Sequence, residues 1–342
     1  MRKIVVRRPG GFDRLRLETG PDPVPGPGEV HVATRSIGVN YADCVVRMGL
    51  YSSARKYVGF PITPGFEFSG VVADVGPGVS DFRPGDSVMG VTQFGGYSSD
   101  VVVPREQLVR LPPELGMVEA GGFSAAFLTA WYAVFELCRL DPGDRVLVHS
   151  AAGGVGSAIV KLARAAGCEV LGVVGAPHKV EVALTAGAAR VVDKSREDLW
   201  AAARDFAPNG FRAVFDANGA ATLAESYRHL SQRGRLVVYG FHSLMSHGGL
   251  PNPVRLLAGY LKTPRFHPMR MVDRNVGVLA FNLSYLFGEL PLFHRAMQDL
   301  FDKLRAGAIR PAPVTEFPLE RAADAHRAIQ SASTVGKLVL IP

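Results

Sequence analysis

Two patterns of hydrophobic and polar positions follow one another along the chain, and the change comes near Ser124. Before that residue, apolar positions occur in short runs such as KIVV, EVHVATRSIGV and GVVADVG, separated by turns rich in Gly and Pro. Runs of strand length bounded by turn residues indicate β-strands. We therefore predict a mostly antiparallel β domain for this part of the chain.

Beyond Ser124, apolar runs of strand length alternate with segments of helical periodicity. The runs are RVLVHS, EVLGVVG, ARVVD, AVFDANG and RLVVYG, and the helices predicted after them cover residues 155–166, 177–186, 197–206, 221–230 and 253–261. A further helix is predicted over residues 290–306, followed by a strand, a helix and a strand. This alternation predicts parallel βαβ units and a doubly wound α/β sheet.

The glycine-rich segment HSAAGGVGS joins the first of these strands to its helix. The pattern G-x-G-x-x-G of a dinucleotide-binding turn falls on Ala151, Gly153 and Gly156, with Ala in place of the first Gly. The free N–H groups and the dipole of the following helix favour a phosphate. Glycines also close ordinary strand–helix turns, but the place of this turn in the series favours a dinucleotide. The predicted contacts are Ala152, Gly153, Gly154, Val155 and Gly156.

The end of the second strand, VVGAPHK, bears on the choice of cofactor. An NAD site usually has an acidic residue here to bind the ribose 2′-hydroxyl. This chain has none, and places Lys179 beside His178. A cation suits the 2′-phosphate, so we predict NADPH, with NADH as the alternative and Gly175 and Lys179 as contacts. Lys179 could also be an ordinary solvated residue in the first turn of a helix.

Composition and charge narrow the class of protein. The chain has 342 residues, 47% hydrophobic and 20% charged, which fits a folded protein of two domains. A net charge of +7 favours anionic ligands, but no long block of like charge and no nucleic-acid motif occur. Three widely spaced cysteines predict neither disulfides nor a cysteine zinc site. Without a long apolar run, we expect no membrane span and a cytoplasmic protein.

The segment PGFEFSGVVADVGPGVSDFRPGDSVMG resembles the hallmark of the medium-chain dehydrogenase/reductase family. SIGVNYADCVVRMGLY, GYSSDVVVP and FSAAFLTAWYAV also match that family, so that the resemblance covers essentially the whole chain. It implies a GroES-like catalytic domain over residues 1–123, completed by residues 285–342. It also implies a Rossmann domain over residues 124–284, with the active site in the cleft between the two domains.

Zinc-dependent members of this family carry Cys where this chain has Asn40 and His where it has Phe66. Only Glu67 of that cluster remains, and one carboxylate cannot supply the tetrahedral set that zinc requires. We therefore predict no metal site. HSAAGGVG, VVGAPHKVEVAL and VGKLVLIP resemble the zinc-independent quinone oxidoreductase branch, and FNLSYLFGE resembles its vesicle amine transport protein-like members.

The resemblance implies reduction of quinones, enones or enoyl thioesters by NADPH. Hydride would go to a C=C bond conjugated to a carbonyl, and hydrogen-bond donors would have to stabilise the negative charge that develops on the oxygen. We predict Asn40 and Tyr51 as the catalytic residues, an amide donor and a phenol donor. Tyr51 could instead be a packing aromatic, and Asp43 is expected to orient its neighbours.

The family pattern also implies further cofactor contacts, some through the backbone. They are Tyr41, Thr129, Asn218, Gly219, Tyr239, Gly240, Phe281, Leu283 and Lys337. Each of these positions could equally be an ordinary core or turn residue.

Two features leave alternatives open. The basic segment 262–274, expected beside the cleft, is either a solvated or dimer-edge segment or, with Arg55 and Lys56, a site for the phosphates of an acyl-CoA. The apolar run 276–287 is either a buried strand and turn or a strand that pairs across a homodimer, which we favour. The alternative function is an NADPH-binding or interaction protein without turnover.

Overall fold

The computed structural model describes residues 1–244 and 252–342. In the first part of the chain, the strands are β1 (Arg2–Val5), β2 (Arg16–Thr19), β3 (Glu29–Val39), β4 (Glu67–Val75), β5 (Ser87–Val91), β6 (Asp100–Pro104) and β7 (Leu108–Arg110). The helices are α1 (Tyr41–Arg47), α2 (Ser52–Tyr57), α3 (Met117–Ala120) and α4 (Ser124–Trp131), which continues as a π-helix (Tyr132–Cys138).

The second part of the chain alternates strands and helices. It contains β8 (Arg145–His149), α5 (Gly154–Ala165), β9 (Glu169–Val174), α6 (Val180–Thr185), β10 (Arg190–Asp193), α7 (Leu199–Phe206), β11 (Phe211–Asp216), α8 (Leu223–Arg228), β12 (Leu230–Val238), α9 (Pro253–Lys262), α10 (Pro268–Arg274) and β13 (Gly277–Ala280). It ends with α11 (Leu290–Arg305), β14 (Val314–Pro318), α12 (Ala322–Gln330) and β15 (Lys337–Ile341). Short 3-10 helices include His242–Leu244 and Leu283–Tyr285.

The parallel sheet has the strand order β10-β9-β8-β11-β12-β13. This is the order of a dinucleotide-binding Rossmann fold, in which ligands bind beyond the carboxyl ends of the strands at the point where the order reverses. Here the reversal lies between β8 and β11, which pair directly. Val146, Leu147 and Val148 of β8 are fully buried because helices cover both faces of the sheet.

The other large sheet combines the two ends of the chain. Its order is β14-β15-β3-β4-β5-β7, and β6 also pairs with β3. β3 pairs with β6 through Glu29–Ala33 and with β15 through Ile37–Val39, so that two strands share one edge of β3. The segment after the Rossmann sheet thereby contributes β14 and β15 to the GroES-like domain.

The predicted α/β architecture, with a GroES-like domain and a Rossmann domain, is confirmed. The predicted helix 177–186 is a 3-10 turn, Pro177–Lys179, followed by α6. Of the predicted run 276–287, only Gly277–Ala280 is a strand, because Asn282 caps a 3-10 helix immediately after it. β2 and β7 were not predicted from the sequence, because strands of three or four residues give too little periodicity.

In the part of the chain that the structure describes, no helix combines the length and the apolar character needed to cross a bilayer. The three cysteines, Cys44, Cys138 and Cys168, are all free and buried.

Candidate functional site

The glycine loop lies at the carboxyl end of β8, beside the point where the strand order reverses. Gly153 caps α5, and Ser150 adopts a positive φ of 57°. A Cβ added to Gly156 would overlap the carbonyl oxygen of Ser150, whereas one added to Gly154 would come no closer than 3.4 Å to any side chain. Gly156 therefore permits the close contact of loop and helix that the fingerprint requires, whereas a methyl group at Gly154 would make only an ordinary van der Waals contact, with the Lys337 side chain.

Two lysines lie together where the neighbouring strands β9 and β10 end. Burial and the charge of neighbouring Lys194 lower the pKa of Lys179, whose Nζ donates to the carbonyl of Ala332 at 2.5 Å. Lys194 follows β10 and packs over Gly175, 3.5 Å from the position of an added Cβ. Two cations in this place suit the 2′-phosphate of NADPH. Lys194 was missed because it belongs to the third strand of the series and not the second.

Asp216 organises the end of β11. Its Oδ1 accepts the N–H groups of Asn218 and Gly219 at 2.8 and 3.1 Å, and its Oδ2 accepts the hydroxyl of Ser226 at 2.9 Å. His149, at the end of β8, lies 3.0 Å from the same hydroxyl and is fully buried, and burial lowers its pKa. The predicted contacts Asn218 and Gly219 are thus held in a turn by a carboxylate that the sequence analysis did not identify.

The next strand, β12, ends in Tyr239 and Gly240, both predicted as cofactor contacts. Tyr239 N donates to the carbonyl of Asp216 at 3.1 Å. The Tyr239 hydroxyl is buried and has no hydrogen-bond partner within residues 1–244 and 252–342. A buried donor of this kind at the carboxyl edge of a Rossmann sheet fits a polar ligand, so the residues present suit a dinucleotide.

A closed ring of polar contacts joins Lys337, Glu67 and Asn40. Lys337 Nζ lies 2.7 Å from Glu67 Oε1 and donates to Asn40 Oδ1 at 2.6 Å, while Asn40 Nδ2 donates to Glu67 Oε1 at 2.9 Å. The ring sits against the glycine loop because Gly336 pairs with Gly153. The cofactor side and the catalytic side of the site therefore meet at Lys337.

The ring specifies what Asn40 can do. Its oxygen already accepts from Lys337, so the amide nitrogen is the group left to contact a substrate, as a donor, and one of its two protons is donated to Glu67. The second carboxylate oxygen of Glu67 accepts the N–H of Ala125 at 2.7 Å. Thr129 lies one turn farther along α4, where its hydroxyl donates to the carbonyl of Ala125 at 2.6 Å.

Asp43 orients its neighbours, as the sequence analysis expected. It is fully buried, and its carboxylate accepts Asn40 N at 2.7 Å, Gly65 N at 2.9 Å and the hydroxyl of Tyr97 at 3.1 Å. Burial raises the pKa of Asp43 to about 7. Tyr97 contacts His326 in turn, at 3.1 Å, so the start of α1 is tied to α12 of the chain's last segment.

Tyr51 packs in an aromatic wall and also makes a polar contact across the cleft. Its ring lies 5.7 Å from that of Phe66 and 6.5 Å from that of Phe94, both edge to face. Its hydroxyl donates to Asn282 Oδ1 at 2.9 Å. The two interpretations of Tyr51, packing aromatic and polar group, therefore both describe it, but its single proton is used by Asn282 and not offered to the cleft.

The remaining predicted contacts are Tyr41, Phe281 and Leu283. Tyr41 of α1 packs against His242 with ring centroids 4.2 Å apart and the ring planes tilted by 43°. Phe281 contacts Tyr132 at 4.9 Å, and its N–H donates to the carbonyl of Val238 at 3.2 Å. An apolar groove adjoins Leu283; its lining includes Leu128, Trp131, Tyr132, Phe287 and Phe293.

The basic segment 262–274 does not lie wholly beside the cleft, and that expectation is wrong for its last residue. Arg274 Nη2 donates to the carbonyls of Arg228 and Leu230, both at 3.2 Å, and its guanidinium stacks on Tyr227. Leu230 begins β12, so Arg274 lies at the amino edge of the parallel sheet. A cofactor or substrate at the carboxyl edge is out of its reach.

In the ranges 1–244 and 252–342, no three side chains of His, Cys, Asp or Glu are grouped as metal ligands. At the position of the zinc cluster of other family members, Glu67 pairs with the ammonium of Lys337, and Phe66 belongs to the aromatic wall.

Comparisons with known proteins agree with this architecture. The alcohol dehydrogenase GroES-like domain family matches residues 26–113, and the zinc-binding dehydrogenase family matches residues 154–269. The synaptic vesicle membrane protein VAT-1 homolog of Rattus norvegicus is 34% identical over 345 positions, covering 100% of this chain and 84% of that protein.

Two solved structures share the fold over the full chain. Escherichia coli quinone oxidoreductase complexed with NADPH has a TM-score of 0.87 and 27% identity, covering 100% of both chains. The CurK enoyl reductase has a TM-score of 0.85 and 26% identity, covering 99% of this chain and 98% of that chain. The chain therefore belongs to the medium-chain dehydrogenase/reductase family, in the zinc-independent branch of the quinone oxidoreductases and VAT-1 homologues.

Proposed function

We propose that the protein is an NADPH-dependent reductase that transfers hydride to a C=C bond conjugated to a carbonyl. The observation that carries this proposal is Lys337, whose stem passes the glycine loop at Gly154 and whose ammonium reaches Asn40. Lys337 thus connects the cofactor site to a polar group suited to a carbonyl substrate. The NADPH complex of the similar E. coli enzyme supports the choice of cofactor.

The bound cofactor would supply the hydride, and negative charge would then collect on the carbonyl oxygen of the substrate. Asn40 Nδ2 keeps one proton that Glu67 does not take, which makes it the donor for that oxygen. The cation of Lys337 on Asn40 Oδ1 polarises the amide and strengthens this donor. Gly153 to Gly156 and the pair Lys179 and Lys194 would hold the phosphates.

The substrate site favours a small apolar quinone or enone over an acyl-CoA. Tyr51, Phe66 and Phe94 form an aromatic wall, with Phe60 packed against the same cluster. Such a wall suits a flat apolar molecule with one polar end. Of the cations considered for the phosphates of an acyl-CoA, Arg274 is committed to the opposite edge of the sheet.

The predicted homodimer is part of the proposal. Side chains on the outer faces of α9 and α10 are strongly exposed although they are apolar: Val254, Leu257, Tyr260, Leu261, Met269 and Val272. Of these helices, α10 directly precedes β13, the edge strand of the Rossmann sheet. A second copy would cover both the apolar surface and the open edge. Light scattering should give the mass of a dimer, and Val272→Asp should shift it toward the monomer.

A cytoplasmic location also belongs to the proposal. Three free, buried cysteines suit a reducing compartment. Cell fractionation followed by detection of the native protein tests this; recovery with the membrane pellet after a salt wash would contradict it.

The function itself is tested by NADPH consumption, with NADH in parallel, against a 1,4-quinone, a short alkyl enone and a branched enoyl-CoA. We expect turnover of the quinone or the enone with NADPH. Asn40→Leu should reduce that turnover by about 100-fold, since one oxyanion donor is worth a factor of this order. Tight NADPH binding without turnover of any substrate would favour the alternative, a binding protein on the same fold.

A further inference from the structure

Asn282 occupies the junction between the two domains. It lies between β13 and the 3-10 helix Leu283–Tyr285, with Phe281 and Leu283 on either side. Three donors meet at its side-chain oxygen. They are the hydroxyl of Tyr51 at 2.9 Å, the N–H of Ser284 at 3.0 Å and the hydroxyl of Ser284 at 2.9 Å.

These contacts determine which atom of the Asn282 amide faces Tyr51. A backbone N–H can only donate, so the N–H of Ser284 requires the oxygen of Asn282 at that point. The rotated amide would bring its NH₂ group against the N–H of Ser284. The orientation of the side chain therefore follows from the backbone and does not depend on Tyr51.

The direction of the Tyr51 hydrogen bond follows in turn. Since the atom opposite is a carbonyl oxygen, the phenol must donate to it. Burial raises the pKa of Tyr51, so the phenol keeps its single proton at neutral pH. While that proton is on Asn282, the phenol oxygen can only accept a hydrogen bond from any other group.

The same junction is fastened to the GroES-like domain at two further points. Ser284 Oγ lies 2.9 Å from Ser53 Oγ of α2, and Gln93 Nε2 donates to the carbonyl of Ser284 at 3.2 Å. Both Ser53 and Ser284 are buried. The segment after β13 and the substrate wall around Tyr51 thus form one connected unit, in which the side chains of Asn282 and Ser284 meet the hydroxyl of Tyr51, and Asn282 accepts its proton.

We propose that Asn282 is a positioning residue that sets both the place and the hydrogen-bond direction of Tyr51. It turns the proton of the phenol away from the substrate, so that the wall presents an aromatic face and an accepting oxygen, and Asn40 alone donates to the developing negative charge. This inference rests on the reductase activity proposed above. It gives Tyr51 a role in holding the substrate and removes it as the proton donor.

The test is a double-mutant cycle on kcat/KM for the enone, with Tyr51→Phe, Asn282→Leu and the combined variant. We expect each single change to lower kcat/KM about tenfold and the combined variant to be no worse than either, because Asn282 acts through Tyr51. Asn282→Asp keeps the accepting oxygen and should recover activity to within about threefold of the wild type. Ser53→Ala, which leaves all three contacts of Asn282 in place, is the matched control.

The proposal would be overturned if the two single losses of kcat/KM multiplied in the combined variant. It would also be overturned if Asn282→Asp lowered kcat/KM as much as Asn282→Leu. Thermal unfolding of the wild type, Tyr51→Phe, Asn282→Leu and the combined variant provides a second cycle. Additive shifts in Tm would show that Tyr51 does not donate to Asn282. If the wild type turns over no substrate, the proposed function fails, and the thermal cycle still decides the direction of the Tyr51 bond.

Discussion

The ammonium of Lys337 lies 2.7 Å from the carboxylate of Glu67, and both side chains are almost completely buried. The two residues come from opposite ends of the chain, Glu67 from β4 and Lys337 from β15. Each charge is uncompensated without the other, since burial removes both from water. The pair therefore ties the strand that completes the GroES-like sheet to the centre of the candidate active site.

We predict that Lys337→Met lowers the free energy of unfolding by about 3–5 kcal/mol, because it leaves Glu67 as a buried unpaired charge. Adding Glu67→Gln removes that charge and should restore more than half of the loss. Urea unfolding of the cofactor-free proteins measures both. A loss below about 1 kcal/mol in Lys337→Met would show that the pair contributes little.

The glycine loop offers a matched pair of substitutions two residues apart. We expect Gly156→Ala to destabilise the protein by about 1–3 kcal/mol and to weaken NADPH binding, because its Cβ would overlap the carbonyl of Ser150. Gly154→Ala meets no atom closer than 3.4 Å and should remain stable. Thermal unfolding and fluorescence titration with NADPH compare the two, and equal stability would refute the steric argument.

The lysine pair should determine the choice between the two nicotinamide cofactors. We predict that Lys179→Met and Lys194→Met each raise the Kd for NADPH about tenfold, since each removes one charge-assisted hydrogen bond to the 2′-phosphate, and change the Kd for NADH by less than twofold. Arg204→Met, at an exposed position on α7, is the control for a general change of charge. An equal loss of affinity for both cofactors would place the lysines outside the 2′-phosphate site.

Acid should weaken the contact between α1 and the Rossmann domain. Burial lowers the pKa of His242 to about 4, below its ordinary value of 6.5, so the neutral ring against Tyr41 stabilises the fold above pH 6.5. That contribution is lost as the pH falls from 6.5 through 4, because the unfolded chain takes up the proton first. His242→Phe keeps an aromatic ring but cannot titrate.

The measurement is the difference in free energy of unfolding between wild type and His242→Phe as a function of pH. We expect this difference to be constant above pH 7 and to shift in favour of the variant toward pH 4. A difference that stays constant over the whole range would contradict the assignment of a neutral, partly buried ring.

The parts of the site that depend on local pattern were predictable, and those that depend on distant pairing were not. The glycine turn follows from residues 149–157 alone, since strand, turn and helix are consecutive in the chain. Lys179 was identified from its place at the end of a strand. Lys194 and Asp216 became recognisable only with the strand order, which brings the ends of β8, β9, β10 and β11 to one edge of the sheet.

Asn40, Tyr51 and Lys337 were named from the resemblance, but their contacts were not. No spacing in the sequence shows that Lys337 holds the oxygen of Asn40, or that Asn282 takes the proton of Tyr51, because both contacts join residues that are far apart in the chain. A polar residue between two apolar cofactor positions, as in the segment FNL, was the one available signal for Asn282. Tyr51 was predicted to donate its proton to the substrate, whereas in the structure it donates to Asn282.

The position of β15 also has a consequence for the order in which the protein is assembled. Translation delivers β3 early, whereas its neighbour β15 emerges only after the whole Rossmann domain has been synthesised. The Rossmann sheet is formed by one continuous segment of the chain, so it can fold while translation continues. The domain that is synthesised first is therefore completed last, and meanwhile carries an open strand edge and a carboxylate without its counter-ion. During that interval a nascent chain is more exposed to wrong pairing and to chaperones than the finished fold.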